Sequence, residues 1–342
     1  MRQSRLKVPS VESGAVYHCI SRIVDRRFIF GEAEQEMFVG FLREYEQFCG
    51  VQILTYCLMS NHFHILVEVP KRPEIRPDSK EVLRRLKGLS GAAITAGKAQ
   101  QMLEMFAAAK DEVGAQEYLE QFYRRMWDVS EFMKLLKQRF SQWYNRTTGR
   151  KGTLWEDRFK SVLVEGQGDG LVTMAAYIDL NPVRAGLVSD PAEYRWSGYG
   201  EAMAGRRQAK EGLRRIYGLG VRSSEVSVTE ALRGYRMRVF AQGEAGLEGT
   251  DAEGNPLRRG IEREAVVQML LQKGRISASE YVQCRVRYFT DGVVLGSRGF
   301  VDGVFGRFRG HFSPGRKTGA RRMQGLEPDL FTVRALRVDL FG

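Results

Sequence analysis

Ile53-Leu54-Thr55-Tyr56-Cys57-Leu58-Met59-Ser60-Asn61-His62-Phe63-His64-Ile65-Leu66-Val67-Glu68-Val69 decides the fold. Apolar and β-branched residues flank a Ser60-Asn61 break, which reads as two short strands joined by a turn. A strand sends alternate side chains to one face, so His62 and His64 point the same way and Phe63 points into the core. Two imidazoles on one rigid strand make half of a metal site, because a divalent ion needs convergent lone pairs at fixed separation. The chain has four histidines in all, and two of them form this pair.

Working outward, Ala15 to Val24 alternates as a first strand, and His18 on it is either a neighbour of the histidine pair or a hydrogen-bonded sheet residue. Glu32 to Cys49 carries apolar residues at helical spacing, with Gly50 placed to end the helix. The opening is therefore α+β: strand, helix, strand, hairpin, strand, with one sheet face packing a helix and the other free to carry the histidines. Residues 1–13 read as a mobile basic arm. After a proline-rich loop over 70–77, Ser79 opens a basic helix to about Ala96, and Gln100 to Trp127 reads as a helical insertion. Ser130 to Asn145 is an amphipathic helix whose Lys134, Lys137 and Arg139 lie near Trp143 and Tyr144. That pattern suits either a nucleic-acid strand or a core-facing aromatic stripe. Gly152 marks a turn, a strand starts near Phe159, and a helix from Gly170 ends near Asn181 because Pro182 follows.

With 342 residues the chain accommodates two domains, and a net charge of +12 favours polyanionic partners, nucleic acid before anionic membrane. No apolar run approaches the roughly 18 residues of a membrane span, so a soluble cytoplasmic protein is expected. Cys19, Cys49, Cys57 and Cys284 form no Cys-x-x-Cys pair, which excludes a zinc knuckle. Gly292 to Gly299 lacks the ending of a phosphate loop and reads as a turn.

Tyr177 and Asn181, four apart, project from one face of the last helical turn. A tyrosine hydroxyl beside a metal is a plausible phosphoryl nucleophile and an asparagine oxygen a reasonable third ligand, although packing is the ordinary role for any one of thirteen tyrosines. Four segments sharpen this: Tyr56-Cys57-Leu58-Met59-Ser60-Asn61-His62-Phe63-His64, Gly152-Thr153-Leu154-Trp155-Glu156-Asp157-Arg158-Phe159-Lys160, Tyr177-Ile178-Asp179-Leu180-Asn181-Pro182-Val183-Arg184-Ala185-Gly186-Leu187-Val188 and Tyr194-Arg195-Trp196-Ser197. Over roughly residues 14–200 these resemble the single-tyrosine HUH transposases, most closely the REP-associated tyrosine transposase (RAYT) branch. The resemblance implies a ferredoxin-like or RRM-like antiparallel sheet backed by helices, a single-stranded or hairpin DNA substrate, and Mg²⁺ or Mn²⁺. It implies His62, His64 and Asn181 as metal ligands and Tyr177 as the nucleophile that forms a 5′-phosphotyrosine. Other single-tyrosine transposases have glutamine at the last ligand position, so Asn181 favours the RAYT branch.

Arg22, Arg26, Arg27, Lys134, Lys137, Arg139, Arg158, Lys160 and Arg184 are the candidate DNA contacts. Residues 201–225 read as a linker, and 226–342 as a basic helical domain with a helix-turn-helix element around Gly274-Arg275-Ile276-Ser277 that binds duplex or hairpin DNA. The competing functional reading is a bacterial regulator that binds a DNA or RNA hairpin without cutting it. Monomer and homodimer both remain open.

Overall fold

The computed structural model describes residues 5–243, 286–323 and 329–334. Three strands build the centre: β1 (Ala15–Arg22), β2 (Gln52–Leu58) and β3 (His62–Val69). The hairpin between β2 and β3 closes where the Met59 N–H donates to the His62 carbonyl at 2.9 Å. β1 lies between β3 and β4 (Lys160–Val164), antiparallel to both. The order β2-β3-β1-β4, antiparallel throughout, is that of a ferredoxin-like sheet, and the fold class is α+β as the sequence predicts.

Helix α1 (Glu32–Cys49) crosses from β1 to β2 and stops at Gly50, whose φ of 62° puts it in the left-handed region that glycine tolerates. Between β3 and β4 run α2 (Ser79–Lys87), α3 (Ala93–Ala108), α4 (Glu112–Tyr123) and α5 (Val129–Thr148). The sequence predicts one helix from Ser79 to about Ala96, whereas α2 ends at Lys87 and α3 starts at Ala93. Gly91 at φ 75° and Lys110 at φ 53° break the chain between these helices. One sheet face, through Tyr17, Cys19, Phe63 and Ile65, packs on α1 and α5. Trp143 and Tyr144 join that core by contacts with Phe140, so the aromatic stripe faces inward.

The other sheet face is not free, contrary to the sequence expectation. Helix α6 (Gly168–Asp179) lies across it, followed by the short α7 (Asn181–Arg184) and α8 (Gly198–Met203), then α9 (Arg207–Gly220) and α10 (Val228–Gly243). The expected linker over 201–225 is thus largely helix. Ala209, Gly212, Leu213 and Ile216 recur at helical spacing and are buried. A Cβ at Gly212 would lie 2.3 Å from the Leu54 carbonyl oxygen, so only glycine lets α9 sit this close to β2. The expected arm is pinned as well: Leu6 is buried and Arg5 donates to the Phe159 carbonyl at 2.7 Å.

The described part of 226–342, read from the sequence as a basic helical domain, contains helices, α10 among them, and three short strands as well. Beyond α10 the described segments are α11 (Val286–Asp291), β5 (Val294–Gly296), α12 (Arg298–Arg307), β6 (Arg321–Arg322) and β7 (Phe331–Thr332). β5 pairs parallel to β4 and leads into β7 and β6, extending the one sheet to seven strands among the described residues. The Gly292–Gly299 stretch supplies β5 in place of a simple turn. The proposed helix-turn-helix lies outside the described residues. Much of the basic C-terminal end is engaged within the fold: Arg309 donates to the Pro314 carbonyl at 2.7 Å, Arg316 to the Gly319 carbonyl at 2.8 Å, and Arg307 pairs with Glu12. Among the described residues no helix is long and apolar enough to cross a membrane.

Candidate active site

His62 and His64 alternate with Phe63 on β3, opposite Arg22 and Ile20 of β1 in the antiparallel register. Their rings approach to 5.1 Å between centroids at the floor of a cleft of about 660 Å³. Tyr177 and Asn181 line the same cleft from α6 and α7. Tyr177 stands edge-on to His64, with centroids 5.9 Å apart. Two pairs of residues far apart in sequence therefore converge, and the i, i+4 spacing places the second pair as expected.

The hydrogen bonds fix which lone pairs face the cleft. His62 Nδ1 lies 2.7 Å from Asn61 Oδ1, while the Asn61 amide nitrogen donates to the Arg26 carbonyl at 3.1 Å. Since Asn61 Oδ1 can only accept, His62 carries its proton on Nδ1. His64 Nδ1 lies 2.9 Å from His18 Nε2. Each ligand candidate thus has Nδ1 occupied and Nε2 as its remaining nitrogen. Asn181 donates its amide nitrogen to the Tyr177 and Ile178 carbonyls at 2.9 and 3.1 Å, which leaves its oxygen as the acceptor at the site.

Burial dominates the electrostatics. It lowers the His18 and His62 pKa values to about 4, with the Arg22 charge acting further on His62. His64, 3% exposed, is held well below the ordinary value by burial and then by the neighbouring His18. All three rings are neutral at pH 7, the state in which an imidazole offers a lone pair to a metal. Tyr177 is 2% exposed; burial pushes its hydroxyl up to about 12, and Arg184, whose guanidinium carbon sits 4.9 Å from the ring centre, opposes this.

The donor set fits a divalent cation: two imidazole nitrogens of defined tautomer and one amide oxygen. Among the described residues no group of three His, Cys, Asp or Glu is arranged to hold a metal. Any further ligands would therefore come from substrate oxygen or water.

The candidate DNA contacts separate into groups. Arg22, Arg26, Arg158 and Lys160 line the cleft and Arg184 covers Tyr177, while Arg27 is exposed on the loop after β1. Lys137 donates to the Asp157 carbonyl at 2.9 Å, beside the cleft. Lys134 pairs with Glu131, and Arg139 lies over Phe41 on the opposite side of the sheet; neither lines the cleft.

Sequence reasoning missed a wall of the site. Phe289 of α11 stacks on Tyr177 at 4.4 Å and 13°, and its carbonyl meets His18 Nδ1 at 2.9 Å. Asp291 pairs with Lys160 at 3.0 Å, and Glu156 and Asp157 add acidic groups to the lining. Glu156 and Asp157 stand in the quoted Trp155 to Arg158 segment, but nothing in the sequence links Phe289 to Tyr177. Asp179 is fully buried; it accepts from Thr55 of β2 at 2.7 Å and from Tyr235 of α10 at 2.5 Å. It braces the helix that carries Tyr177.

Residues 12–107 match the family described as IS200-like transposases. The matched segment contains β1, α1, β2, β3 and α2 with His18, His62 and His64, and ends before Tyr177 and Asn181. Among solved structures, the chain is similar to the "REP associates tyrosine transposase bound to a REP hairpin". The two are 14% identical, the alignment covers 60% of this chain and 87% of that one, and the TM-score is 0.38. No curated protein matches the chain.

Proposed function

We propose that the protein is a transposase-type enzyme of the REP-associated kind, a metal-dependent nuclease and strand transferase acting on single-stranded or hairpin DNA. The observation that carries this reading is the convergence of His62, His64, Tyr177 and Asn181 in one cleft rimmed by arginine and lysine. The IS200-like match over the histidine half of the site supports it. A cytoplasmic, nucleoid-associated location goes with such a substrate.

In the reaction, the Tyr177 oxygen attacks a phosphorus of the strand, and the bond to the 3′-oxygen breaks as the tyrosyl bond forms. The phenolic proton leaves Tyr177 and a proton ends on the released 3′-hydroxyl. The DNA stays attached through a 5′-phosphotyrosine, so the energy of the phosphodiester is retained for rejoining. Mg²⁺ or Mn²⁺ held by His62, His64 and Asn181 would supply charge neutralisation at the phosphate. The protein's own part is to hold both imidazoles neutral with Nε2 available, to fix Tyr177 between Phe289 and Arg184, and to meet strand phosphates with Arg22, Arg26, Arg158 and Lys160.

The test is incubation with labelled hairpin oligonucleotides taken from repeats flanking the gene, with Mn²⁺, read on a denaturing gel. Wild type should give a covalent protein–DNA band that Tyr177→Phe and His62→Ala/His64→Ala lack. Tight binding without cleavage across the substrates and both metals would favour the hairpin-binding regulator. Cleavage that survives in Tyr177→Phe would move the nucleophile elsewhere.

A further inference from the structure

His18 lies outside the ligand set, yet it is joined by hydrogen bonds to both sides of the site. On β1 it stands opposite Leu66, one pleat away from the Ile20–His64 pair, and its ring stacks on His64 with centroids 5.1 Å apart at 18°. Its Nδ1 is 2.9 Å from the Phe289 carbonyl and its Nε2 is 2.9 Å from His64 Nδ1.

A carbonyl oxygen can only accept, so His18 must carry a proton on Nδ1. The ring has no solvent exposure and, among the described residues, no carboxylate bonded to it, and burial of an unpaired charge is costly, so it holds only that one proton. His18 Nε2 is therefore a lone pair, and the hydrogen bond to His64 exists only if His64 donates from Nδ1. The Phe289 carbonyl thereby dictates, through His18, the tautomer of His64. We propose that His18 is a positioning residue that locks His64 with its Nε2 lone pair turned to the cleft, ready to ligate a divalent cation. This rests on the reading of His62 and His64 as the metal pair.

The same logic acts at His62 through Asn61, whose Oδ1 accepts from His62 Nδ1 while its amide nitrogen donates to the Arg26 carbonyl. The two locks differ in origin. That of His62 is local to the β1–β3 end, whereas that of His64 runs from a helix more than two hundred residues along the chain. An orienting partner of this kind commonly changes metal affinity by roughly 10- to 100-fold.

The experiment uses the full chain without DNA. Mn²⁺ binding is followed by the EPR signal of the free ion for wild type, His18→Phe, His18→Gln and His62→Ala/His64→Ala. In parallel, the ¹⁵N shifts of the His64 ring are recorded in metal-free wild type. Phenylalanine keeps a ring in the space but cannot accept from His64, whereas the glutamine amide can accept from His64 and donate to the Phe289 carbonyl. The expected results are a His64 protonated on Nδ1, Mn²⁺ affinity roughly 10- to 100-fold weaker in His18→Phe, and recovery in His18→Gln. A His64 protonated on Nε2 in wild type overturns the proposal, whether or not the Phe variant folds. So does a folded His18→Phe that binds Mn²⁺ as wild type does. If the double variant binds Mn²⁺ as well as wild type, the metal-pair reading itself fails and the proposal falls with it.

Discussion

Asp179→Asn is expected to stabilise the protein at pH 8 relative to pH 5, the reverse of an ordinary carboxylate replacement. Asp179 sits two residues after Tyr177, with no solvent exposure. Burial raises its pKa from 3.8 to about 7, against hydrogen bonds from Thr55, Tyr235 and the Tyr199 backbone that pull the other way. A carboxyl with a raised folded pKa contributes stability fully below its unfolded value, and loses that stability as pH rises through the folded value. At about 1.4 kcal/mol per pH unit, ionising Asp179 costs the fold on the order of 4 kcal/mol by pH 8, of which about 2 to 3 kcal/mol is lost between pH 5 and pH 8.

Asparagine has the same shape and no charge at any of these pH values. Its oxygen can accept from Thr55 Oγ1, and its NH₂ can donate to the Tyr235 oxygen once that hydroxyl turns. The assay is urea denaturation followed by circular dichroism at half-unit steps from pH 5 to pH 8, on wild type and variant in parallel. Subtracting the curves removes every other titrating group, and the difference should swing toward the variant by about 2 to 3 kcal/mol as pH rises. A difference that stays flat across this range would refute the argument that burial outweighs the three hydrogen bonds.

Other outcomes follow from the same geometry. Tyr177→Phe should change stability by less than about 0.5 kcal/mol, because the substitution keeps the buried ring stacked on Phe289 and removes only the hydroxyl; chemical denaturation checks this beside the loss of the covalent band. Phe289→Ala should destabilise by about 3 kcal/mol, as for other buried phenylalanines, and should bring the Tyr177 hydroxyl down from about 12 by admitting water, which ultraviolet difference titration against Tyr177→Phe would resolve. Gly212→Ala should cost more than about 2 kcal/mol by forcing α9 off β2, with the melting temperature as readout. Adding a chelator should abolish the covalent band while leaving the melting curve of the DNA-free protein in place, since buried apolar side chains hold the sheet faces together.

The site was legible where a short-range rule governs it. Period two put His62 and His64 on one face, and a spacing of four aligned Tyr177 with Asn181. Those rules depend only on backbone geometry, and the backbone followed them. The cover over the histidine face was not legible, because α9 hides in a stretch rich in small and basic residues. Gly212, which lowers helix propensity and so reads as linker, is the residue that lets α9 pack. Strands of two and three residues, such as β5, β6 and β7, are too short to show alternation. Lys134 and Arg139 share a helix with basic and aromatic neighbours, and composition alone could not tell that this helix packs on the face away from the cleft.

The closed wall of the site bears on how a strand would enter on the proposed reading. Lys160 and Asp291 pair at the rim with side chains 67% and 29% exposed, an interaction worth about 1 kcal/mol or less. A phosphate can replace Asp291 there at little cost. Phe289 is different: buried and stacked on Tyr177, it cannot leave without exposing an aromatic surface worth about 2 to 3 kcal/mol. Charge is thus exchanged at the entrance while the ring contact persists, so the approach that keeps the site intact leads past Lys160, Arg158 and Arg22 toward the histidines. A phosphate arriving by that route meets His62 and His64 on one side and Tyr177 on the other, with Phe289 still holding both the tyrosine ring and, through its carbonyl, the orientation of His18.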